Sequence, residues 1–317
     1  MYKILNTIGE VYTDSAKNIL EEIGDVDYKN LTQDELKDII DNYDIAIIGL
    51  GLNFTRDILE NAKKLKIIVT ATTGLDHVDV EYAKEKGIEI VSLRGEDEFL
   101  NMITGTAELA AGLMIELLRF MPWASGDVKN YRWDRESFRG RNLYGLTLGV
   151  IGLGRLGKWM ARYGNAFGMD VLYHDPKLLT SNVDSLGTEA SFDELLQKSD
   201  VISIHVHLNK ETENMFNAEV FKKMKNTAYL INTARGDIVH EGDLLNALQS
   251  QEIAGYGTDV LAGELNFNKE FSKHPLVEYA KESRNVIIVP HIGGMTVESR
   301  ERTDIFIAEK LKKFLKK

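Results

Sequence analysis

The sequence Gly152-Leu153-Gly154-Arg155-Leu156-Gly157 decides the fold of this 317-residue chain. It follows an apolar run, residues 146–151, and opens a helical pattern that leads to a second apolar run, 171–173, and then to Asp175. This order of strand, glycine turn, helix, strand and acid is typical of a dinucleotide-binding unit. The alternative interpretation is a glycine-rich turn in an ordinary parallel sheet.

Each part of the pattern has a physical role in dinucleotide binding. Gly152 permits a tight turn, Gly154 lets a pyrophosphate approach the backbone, and Gly157 lets the helix pack closely on the strand. The helix N-terminus offers unpaired N–H groups to the phosphates. Asp175 accepts hydrogen bonds from a ribose diol and repels a 2′-phosphate, and the two residues after it include no arginine. We therefore predict a preference for NAD over NADP.

Composition limits the classes of protein to which the chain can belong. A hydrophobic fraction of 44% is enough for substantial cores, and the length suggests two domains. The formal net charge of −11 argues against binding to nucleic acid or to an anionic membrane surface. The chain has no cysteine, which excludes disulfides, thiolate catalysis and cysteine-based metal sites. We find no signal-peptide core and no apolar run of membrane-spanning length, so we expect a cytoplasmic protein without a metal site.

Apolar runs alternate with helical patterns along almost the whole chain, which predicts α/β architecture with parallel sheets. In the first part, strands are predicted at 45–48, 67–70 and 88–91, and helices at 34–42, 56–65 and 80–86. In the second part, strands are predicted at 148–151, 171–173, 201–205, 228–232, 254–259 and 286–289.

Three further segments indicate how the domains are connected. Residues 101–120 are apolar nearly all round the helix and predict a buried crossover, whereas 123–144 are polar, aromatic and irregular and predict a long packed loop. The amphipathic pattern at the C-terminus is too short for a domain. We therefore expect a discontinuous first domain, 1–99 and 292–317, with a dinucleotide-binding domain of residues 100–291 inserted into it and a hinged cleft between the two. Both domains are expected to be Rossmann-like or flavodoxin-like.

Three ionisable residues follow predicted strands in the second part: Arg235, Glu264 and His291. Ligands of open parallel sheets lie beyond the carboxyl ends of the strands, so these side chains are expected to meet at the reactive end of the cofactor. Their types suit reduction of a 2-keto acid: the guanidinium binds the carboxylate and carbonyl, the histidine supplies a proton, and the glutamate orients the histidine. Taken singly, the alternatives are a surface cation, a solvated charge and a structural histidine.

The chain resembles the D-isomer-specific 2-hydroxyacid dehydrogenases, a family that includes phosphoglycerate dehydrogenases and hydroxypyruvate or glyoxylate reductases. The resemblance rests on the glycine turn with Asp175 and on segments 203–212, 232–236, 259–264 and 290–294. It implies NAD as cofactor, a substrate domain made from both chain ends, an inserted NAD domain and a homodimer. It implies that the catalytic residues are Arg235, Glu264 and His291. It also implies that the cofactor is lined by Arg155, Leu156, Asp175, Val206, His207, Thr212, Thr233, Asp259 and His291.

Ala234 and Gly293, within two of these segments, are predicted to bind the cofactor as well. His207 departs from the family pattern, because proline is common at that position. His205 and His207 lie on the same face of the strand end, so one or both are expected to face the nucleotide. The alternative for His205 is a hydrogen-bonded histidine in a packed wall.

A larger departure follows residue 91, where residues 92–101 replace the asparagine-proline loop of the family. We expect this loop and residues Thr73 and Gly74 to face the substrate. The N–H groups near Thr73 and Gly74 are predicted to bind a carboxylate, and Arg94 a second acidic group, which suggests a substrate larger than pyruvate. The alternative is a charged, solvated loop.

The predicted function is an NAD-dependent D-2-hydroxyacid dehydrogenase. Two alternatives stay open: phosphite-type oxidation on the same fold, and an NAD(H)-binding sensor or co-regulator without significant turnover. Glu264 argues against formate oxidation, because the formate dehydrogenases of this superfamily resemble one another in having glutamine there.

Overall fold

The computed structural model describes residues 1–178, 183, 185–267 and 271–316, and the chain divides into two compact units. Unit 1 comprises Met1–Met102, Leu265–Lys269 and Met295–Lys317, and unit 2 comprises Ile103–Glu264 and Glu270–Gly294. Each unit has its own parallel sheet and its own apolar core. The predicted α/β class with two parallel-sheet domains is therefore confirmed.

The sheet of unit 1 has the strand order β2-β1-β3-β4-β5, with all neighbours parallel. Its strands are β1 (Tyr2–Asn6), β2 (Gly24–Tyr28), β3 (Ile45–Ile48), β4 (Ile67–Thr70) and β5 (Glu89–Ser92). The helices between them are α1 (Asp14–Glu21), α2 (Gln33–Ile39), α3 (Arg56–Asn61) and α4 (Val80–Glu85), and α5 (Asp97–Leu100) follows β5.

Burial explains which strands of unit 1 could be predicted. Every residue of β3 and β4 is buried, so both strands read as continuous apolar runs. Strands β1 and β2 and helix α1 are absent from the elements predicted from sequence. Strand β2 lies at the sheet edge with Asp25 exposed and Asp27 half-buried, which removes the apolar signal. Its Gly24 is required by packing, since a Cβ there would lie 2.2 Å from the carbonyl oxygen of Tyr2.

The sheet of unit 2 has the order β12-β11-β10-β9-β6-β7-β8, again parallel. Its strands are β6 (Thr147–Ile151), β7 (Asp170–His174), β8 (Thr188–Glu189), β9 (Val201–Ile204), β10 (Tyr229–Asn232), β11 (Gly255–Thr258) and β12 (Val286–Ile288). Its helices are α6 (Gly105–Leu118), α7 (Met121–Lys129), α8 (Arg155–Ala166), α9 (Phe192–Lys198), α10 (Ala218–Phe221), α11 (Glu241–Gln249) and α12 (Pro275–Glu282). Six of these strands match the predicted ones to within one residue at each end.

The helix predicted over 101–120 is shorter in the structure. It is α6, which packs on β10, β11 and α8, and it ends before Phe120, whose φ of 53° lies in the left-handed region. The irregular loop predicted over 123–144 is wrong in its first part, because α7 covers Met121–Lys129. No residue of α7 is buried, so its sequence carries no amphipathic signal.

The C-terminal helix, α13 (Val297–Phe314), returns to unit 1 and packs on α1, β4 and β5. Its buried face contains Ile307, Ala308 and Leu311, as the amphipathic pattern predicts. Of the helices in the described part of the chain, none has the length and apolar character that crossing a membrane would need.

Candidate active site

The glycine turn joins β6 to α8 in unit 2 and is shaped by close backbone contacts. Gly152 has a φ of +87°, and a Cβ there would lie 2.7 Å from the carbonyl oxygen of His205. A Cβ on Gly157 would lie 2.0 Å from the carbonyl oxygen of Gly152, so helix and strand pack too closely for a side chain. A Cβ on Gly154 would meet no atom of the described residues within 4 Å. The turn therefore leaves open space in front of the N-terminus of α8, where a pyrophosphate can approach.

The first turn of α8 contains Arg155 and Leu156, both half-buried. The Arg155 guanidinium donates to the carbonyl oxygen of Ile103. This bond ties the start of α8 to the segment that leads into α6.

Asp175 follows β7 and closes the turn from the other side. Its Oδ2 accepts from the Leu153 N–H at 2.9 Å, and its Oδ1 accepts from the Lys177 N–H at 3.0 Å. Each carboxylate oxygen has a second lone pair, so both can still accept from ribose hydroxyls. The ammonium group of Lys177 pairs with Glu211.

Residues 205–207 form the wall beside the glycine turn. The Cγ1 of Val206 lies 2.8 Å from the position that a Gly152 Cβ would take. His205 Nε2 lies 2.8 Å from Ser203 Oγ, and loss of solvent lowers the pKa of His205 to about 4, so the ring is neutral near pH 7. This geometry favours the packed-wall interpretation of His205. The exposed His207 accepts at its carbonyl oxygen from Thr212 Oγ1 at 2.7 Å.

The loop after β10 is built around Asn232, a buried residue to which the sequence analysis gave no role. Its Oδ1 accepts from the Ala234 N–H at 3.0 Å, and its Nδ2 donates to the Arg235 carbonyl oxygen at 2.8 Å. The Arg235 guanidinium donates to the Ala234 carbonyl oxygen at 2.7 Å. A Cβ on Gly236 would lie 2.1 Å from the carbonyl carbon of Leu261, so this loop contacts the loop that carries Glu264.

Thr233 lies in the same loop, and its hydroxyl tests whether a cofactor fits. The residue is 6% exposed, and its Oγ1 has no hydrogen-bond partner within the described ranges. An unsatisfied buried hydroxyl costs about 1–3 kcal/mol, which a polar ligand would recover. The unpartnered hydroxyl and the open space at Gly154 both fit a bound dinucleotide.

His291 and Glu264 form a hydrogen-bonded pair beyond the ends of β12 and β11. His291 Nδ1 lies 2.7 Å from Glu264 Oε1, and 28% and 18% of the two side chains are exposed. The carboxylate only accepts, so Nδ1 carries a proton and Nε2 is the ring atom left to face a substrate. His291 has a φ of +52°, which is uncommon for a residue with a side chain.

Asp259 holds this left-handed turn in place. Its carboxylate is 1% exposed and accepts from the N–H groups of Ile292, at 2.6 Å, and Gly293, at 2.8 Å. Its carbonyl oxygen accepts from the His291 N–H at 2.9 Å. Burial raises the pKa of Asp259, and the two N–H groups act in the opposite direction. Asp259 therefore positions the backbone that carries His291.

In unit 1, the predicted substrate residues lie at the ends of the adjacent strands β4 and β5. The loop after β4 is joined to that after β5 by a bond from the Leu93 N–H to the Thr72 carbonyl oxygen at 3.1 Å. Thr73 and Gly74 are half-buried, and their N–H groups have no acceptor within the part of the chain that the structure describes. Arg94 is exposed, and its guanidinium forms no ion pair with any described residue.

Residues 111–293 match the family model for the NAD binding domain of D-isomer specific 2-hydroxyacid dehydrogenases. The chain is 38% identical to D-3-phosphoglycerate dehydrogenase of Methanocaldococcus jannaschii, with 100% of this chain and 58% of that relative covered. It is 35% identical to hydroxypyruvate reductase of Thermotoga maritima, over 92% of this chain and 91% of the relative.

Among solved structures, D-lactate dehydrogenase of Aquifex aeolicus complexed with NAD and lactic acid superposes with a TM-score of 0.83 at 31% identity. The match covers 99% of this chain and 95% of that chain. The chain thus spans little more than half the length of the phosphoglycerate dehydrogenase and nearly the whole length of the other two relatives.

Proposed function

The chain belongs to the D-isomer-specific 2-hydroxyacid dehydrogenase family, and from this premise we propose that it interconverts a D-2-hydroxy acid and its 2-keto acid. NAD, the cofactor that the family model names, supplies or accepts the hydride when it is bound. The observation that carries the proposal is the 2.7 Å bond between His291 Nδ1 and Glu264 Oε1, at the ends of neighbouring strands.

His291 serves as the acid in the reduction and as the base in the oxidation. The Glu264 carboxylate fixes the ring orientation through Nδ1 and stabilises the ring when it is charged. During reduction, the proton on Nε2 passes to the carbonyl oxygen of the substrate, which becomes a hydroxyl group. In the reverse direction, neutral Nε2 takes that proton back.

Arg235 binds the carboxylate and carbonyl oxygens of the substrate. Its guanidinium has donors in a fixed fork, which matches two oxygens of a 2-keto acid. Support comes from the rigid loop around it, which is fixed by Asn232 and by the contact at Gly236.

The glycine turn and Asp175 are proposed to hold the pyrophosphate and the adenosine ribose. Further cofactor contacts are proposed for Arg155, Leu156, Val206, His207, Thr212, Thr233, Ala234, Asp259 and Gly293. For His205 the proposed contact is through the main chain beside Gly152, because its ring is bonded to Ser203. Lys177, the cation that follows Asp175 in the described part of this loop, already pairs with Glu211 rather than standing ready for a 2′-phosphate. We propose a preference for NAD on this ground.

Unit 1 is proposed to bind acidic groups of the substrate. The N–H groups of Thr73 and Gly74 suit a carboxylate, and Arg94 suits a second carboxylate or a phosphate. The expected substrates are therefore 2-keto acids with a second acidic group. Replacing Arg94 with alanine should lower kcat/KM for such acids at least about tenfold while pyruvate is unaffected. Equal effects on both substrates would contradict the assignment.

A homodimer is proposed from the surface of unit 2. Tyr131, Trp133 and Tyr144 are 100%, 83% and 82% exposed, and they follow helix α7, which has no buried residue. Exposed aromatic side chains of this size are favourable to cover, and a second copy of the chain is the proposed occupant. Sedimentation that shows a monomer at micromolar concentration would contradict it.

The central test measures NADH oxidation with a panel of 2-keto acids. Wild-type protein should turn over at least one of them, and His291→Ala should lower kcat by about 10²–10⁴ without changing the NADH Kd. Glu264→Gln keeps a hydrogen-bond acceptor near Nδ1 but removes the charge, so it should be less impaired than His291→Ala. Tight NADH binding without turnover of any acid would instead support a sensor.

A further inference from the structure

A second carboxylate–imidazole pair lies next to the Glu264–His291 pair, and no step above uses it. Glu241 is the first residue of α11, and His274 precedes α12. Glu241 Oε2 lies 3.1 Å from His274 Nε2, and the two side chains are 17% and 14% exposed. Acidic side chains are rarely buried unless they are paired or bonded, so this one requires an explanation.

Both carboxylates bind the same short turn. The Ala262 N–H donates to Glu241 Oε1 at 2.9 Å, and the preceding N–H, of Leu261, donates to Glu264 Oε2 at 3.1 Å. Glu264 lies at the end of this turn, and its other oxygen binds His291. The turn that carries the carboxylate partner of His291 is therefore held at two consecutive N–H groups, one by Glu264 itself and one by Glu241.

The electrostatic surroundings make this arrangement costly. Burial raises the pKa of Glu241, while the Ala262 N–H and the nearby His274 lower it. Asp237 contributes further negative charge, and burial raises its pKa as well. The acidic groups around the turn also include Asp259 and Glu264, and His274 is the cation-forming group that contacts Glu241.

We propose that Glu241 and His274 are positioning residues for proton transfer. They hold the turn of residues 261–264 so that the Glu264 carboxylate stays within hydrogen-bond distance of His291 Nδ1. The contact of His274 Nε2 with Glu241 Oε2 keeps the other carboxylate oxygen directed at the Ala262 N–H. The inference rests on the proposed function, in which His291 is the acid.

The direction of the effect follows from charge. When Glu241 is replaced by alanine, the Ala262 N–H loses its acceptor and the turn relaxes away from His291. The protonated ring is then less stabilised, so reduction, which needs that proton, is lost at a lower pH. The alkaline limb of the kcat/KM profile should move down by roughly 0.5–1 pH unit, and kcat should fall about 10–100-fold. The NADH Kd should not change.

Three variants separate positioning from general destabilisation. Glu241→Gln retains an acceptor for Ala262 and should recover most of kcat. His274→Ala leaves Glu241 in place without its partner and should shift the alkaline limb of the kcat/KM profile in the same direction. This variant provides an independent measurement if Glu241→Ala does not fold. His240→Ala is the matched control, because His240 caps the same helix and pairs with Asp243 but does not contact the turn.

An NMR titration of the His291 ring in protein without substrate or cofactor completes the test. In folded Glu241→Ala or His274→Ala the midpoint should shift to lower pH, and in His240→Ala it should not. An unchanged midpoint in both would overturn the inference, even with active wild-type protein. Wild-type protein without turnover would reject the proposed function, and the titration would still decide whether Glu241 and His274 act on His291.

Discussion

The glycine turn allows cofactor binding and folding to be separated by two substitutions of the same size. A Cβ on Gly157 would lie 2.0 Å from the Gly152 carbonyl oxygen and 3.2 Å from Val150 Cγ1. The first contact is with backbone, so helix and strand must move apart. Overpacking of this kind costs typically about 1–3 kcal/mol. For a unit of this size we expect Gly157→Ala to lower Tm by roughly 2–12 °C.

Gly154→Ala adds the same methyl group where it meets nothing. No atom in the part of the chain that the structure describes lies within 4 Å of that Cβ, and the φ and ψ angles of −71° and −159° are extended ones that alanine can adopt. Loss of a favourable N-cap residue costs about 0.5–1 kcal/mol, or roughly 1–4 °C in Tm. The methyl group would stand where the pyrophosphate approaches, so the NADH Kd should rise at least about tenfold.

The assay pairs thermal unfolding with NADH binding followed by fluorescence, on wild-type protein and both variants. Gly154→Ala should lose affinity with little loss of Tm, and Gly157→Ala should lose both. If Gly154→Ala binds NADH like the wild type, the space in front of α8 is not the pyrophosphate site. If its Tm falls as far as that of Gly157→Ala, the packing argument is wrong.

Three further predictions concern single carboxylates. Burial raises the pKa of Asp304 from 3.8 to about 6, so the native state binds the proton more tightly than the unfolded chain. The contribution of this group to the free energy of unfolding is present below about pH 4 and is lost as the pH rises to 6. Between pH 4 and pH 7, the free energy of unfolding of Asp304→Asn should therefore rise relative to that of the wild type by up to about 3 kcal/mol, as measured by urea titration. A difference that does not change with pH would contradict this. Asp259→Asn replaces one of the two oxygens that bind the Ile292 and Gly293 N–H groups by a donor, so kcat should fall about 10–100-fold, and an unchanged kcat would refute a positioning role. The kcat/KM of the wild type should be at least about 100-fold higher with NADH than with NADPH, and Asp175→Ser should reduce this ratio. Comparable kcat/KM values of the wild type with the two cofactors would refute the preference.

Sequence reasoning predicted the features of this chain that depend on local pattern. The buried strands β3 and β4 and six strands of unit 2 are apolar runs, and the glycine turn needs only residues adjacent in sequence. Helix α7 was not predicted. None of its residues is buried, so its sequence shows no apolar face opposite a polar one.

The sequence predicts the site residues that follow strands, but not the residues that fix the loops on which those site residues lie. Arg235, Glu264 and His291 were chosen because each follows an apolar run. The roles of Asn232, Asp259 and Glu241 depend on which backbone N–H groups their side chains meet, and some of those groups are more than 20 residues away in sequence. The spacing of residues in the sequence does not predict such contacts.

The return of α13 to unit 1 has a consequence for synthesis of the protein. The Tyr12 hydroxyl donates to the carbonyl oxygen of Asp304, a contact that joins residues 292 positions apart. At the usual rates of translation, roughly 15–60 s pass between the synthesis of α1 and the synthesis of α13, the helix on which it packs. Unit 2 is complete before that, whereas the face of unit 1 that α13 covers stays open. The nascent chain therefore passes through a stage in which unit 1, whose first segment is synthesised first, is the last unit to complete its packing. Chaperones can bind the uncovered face during that interval.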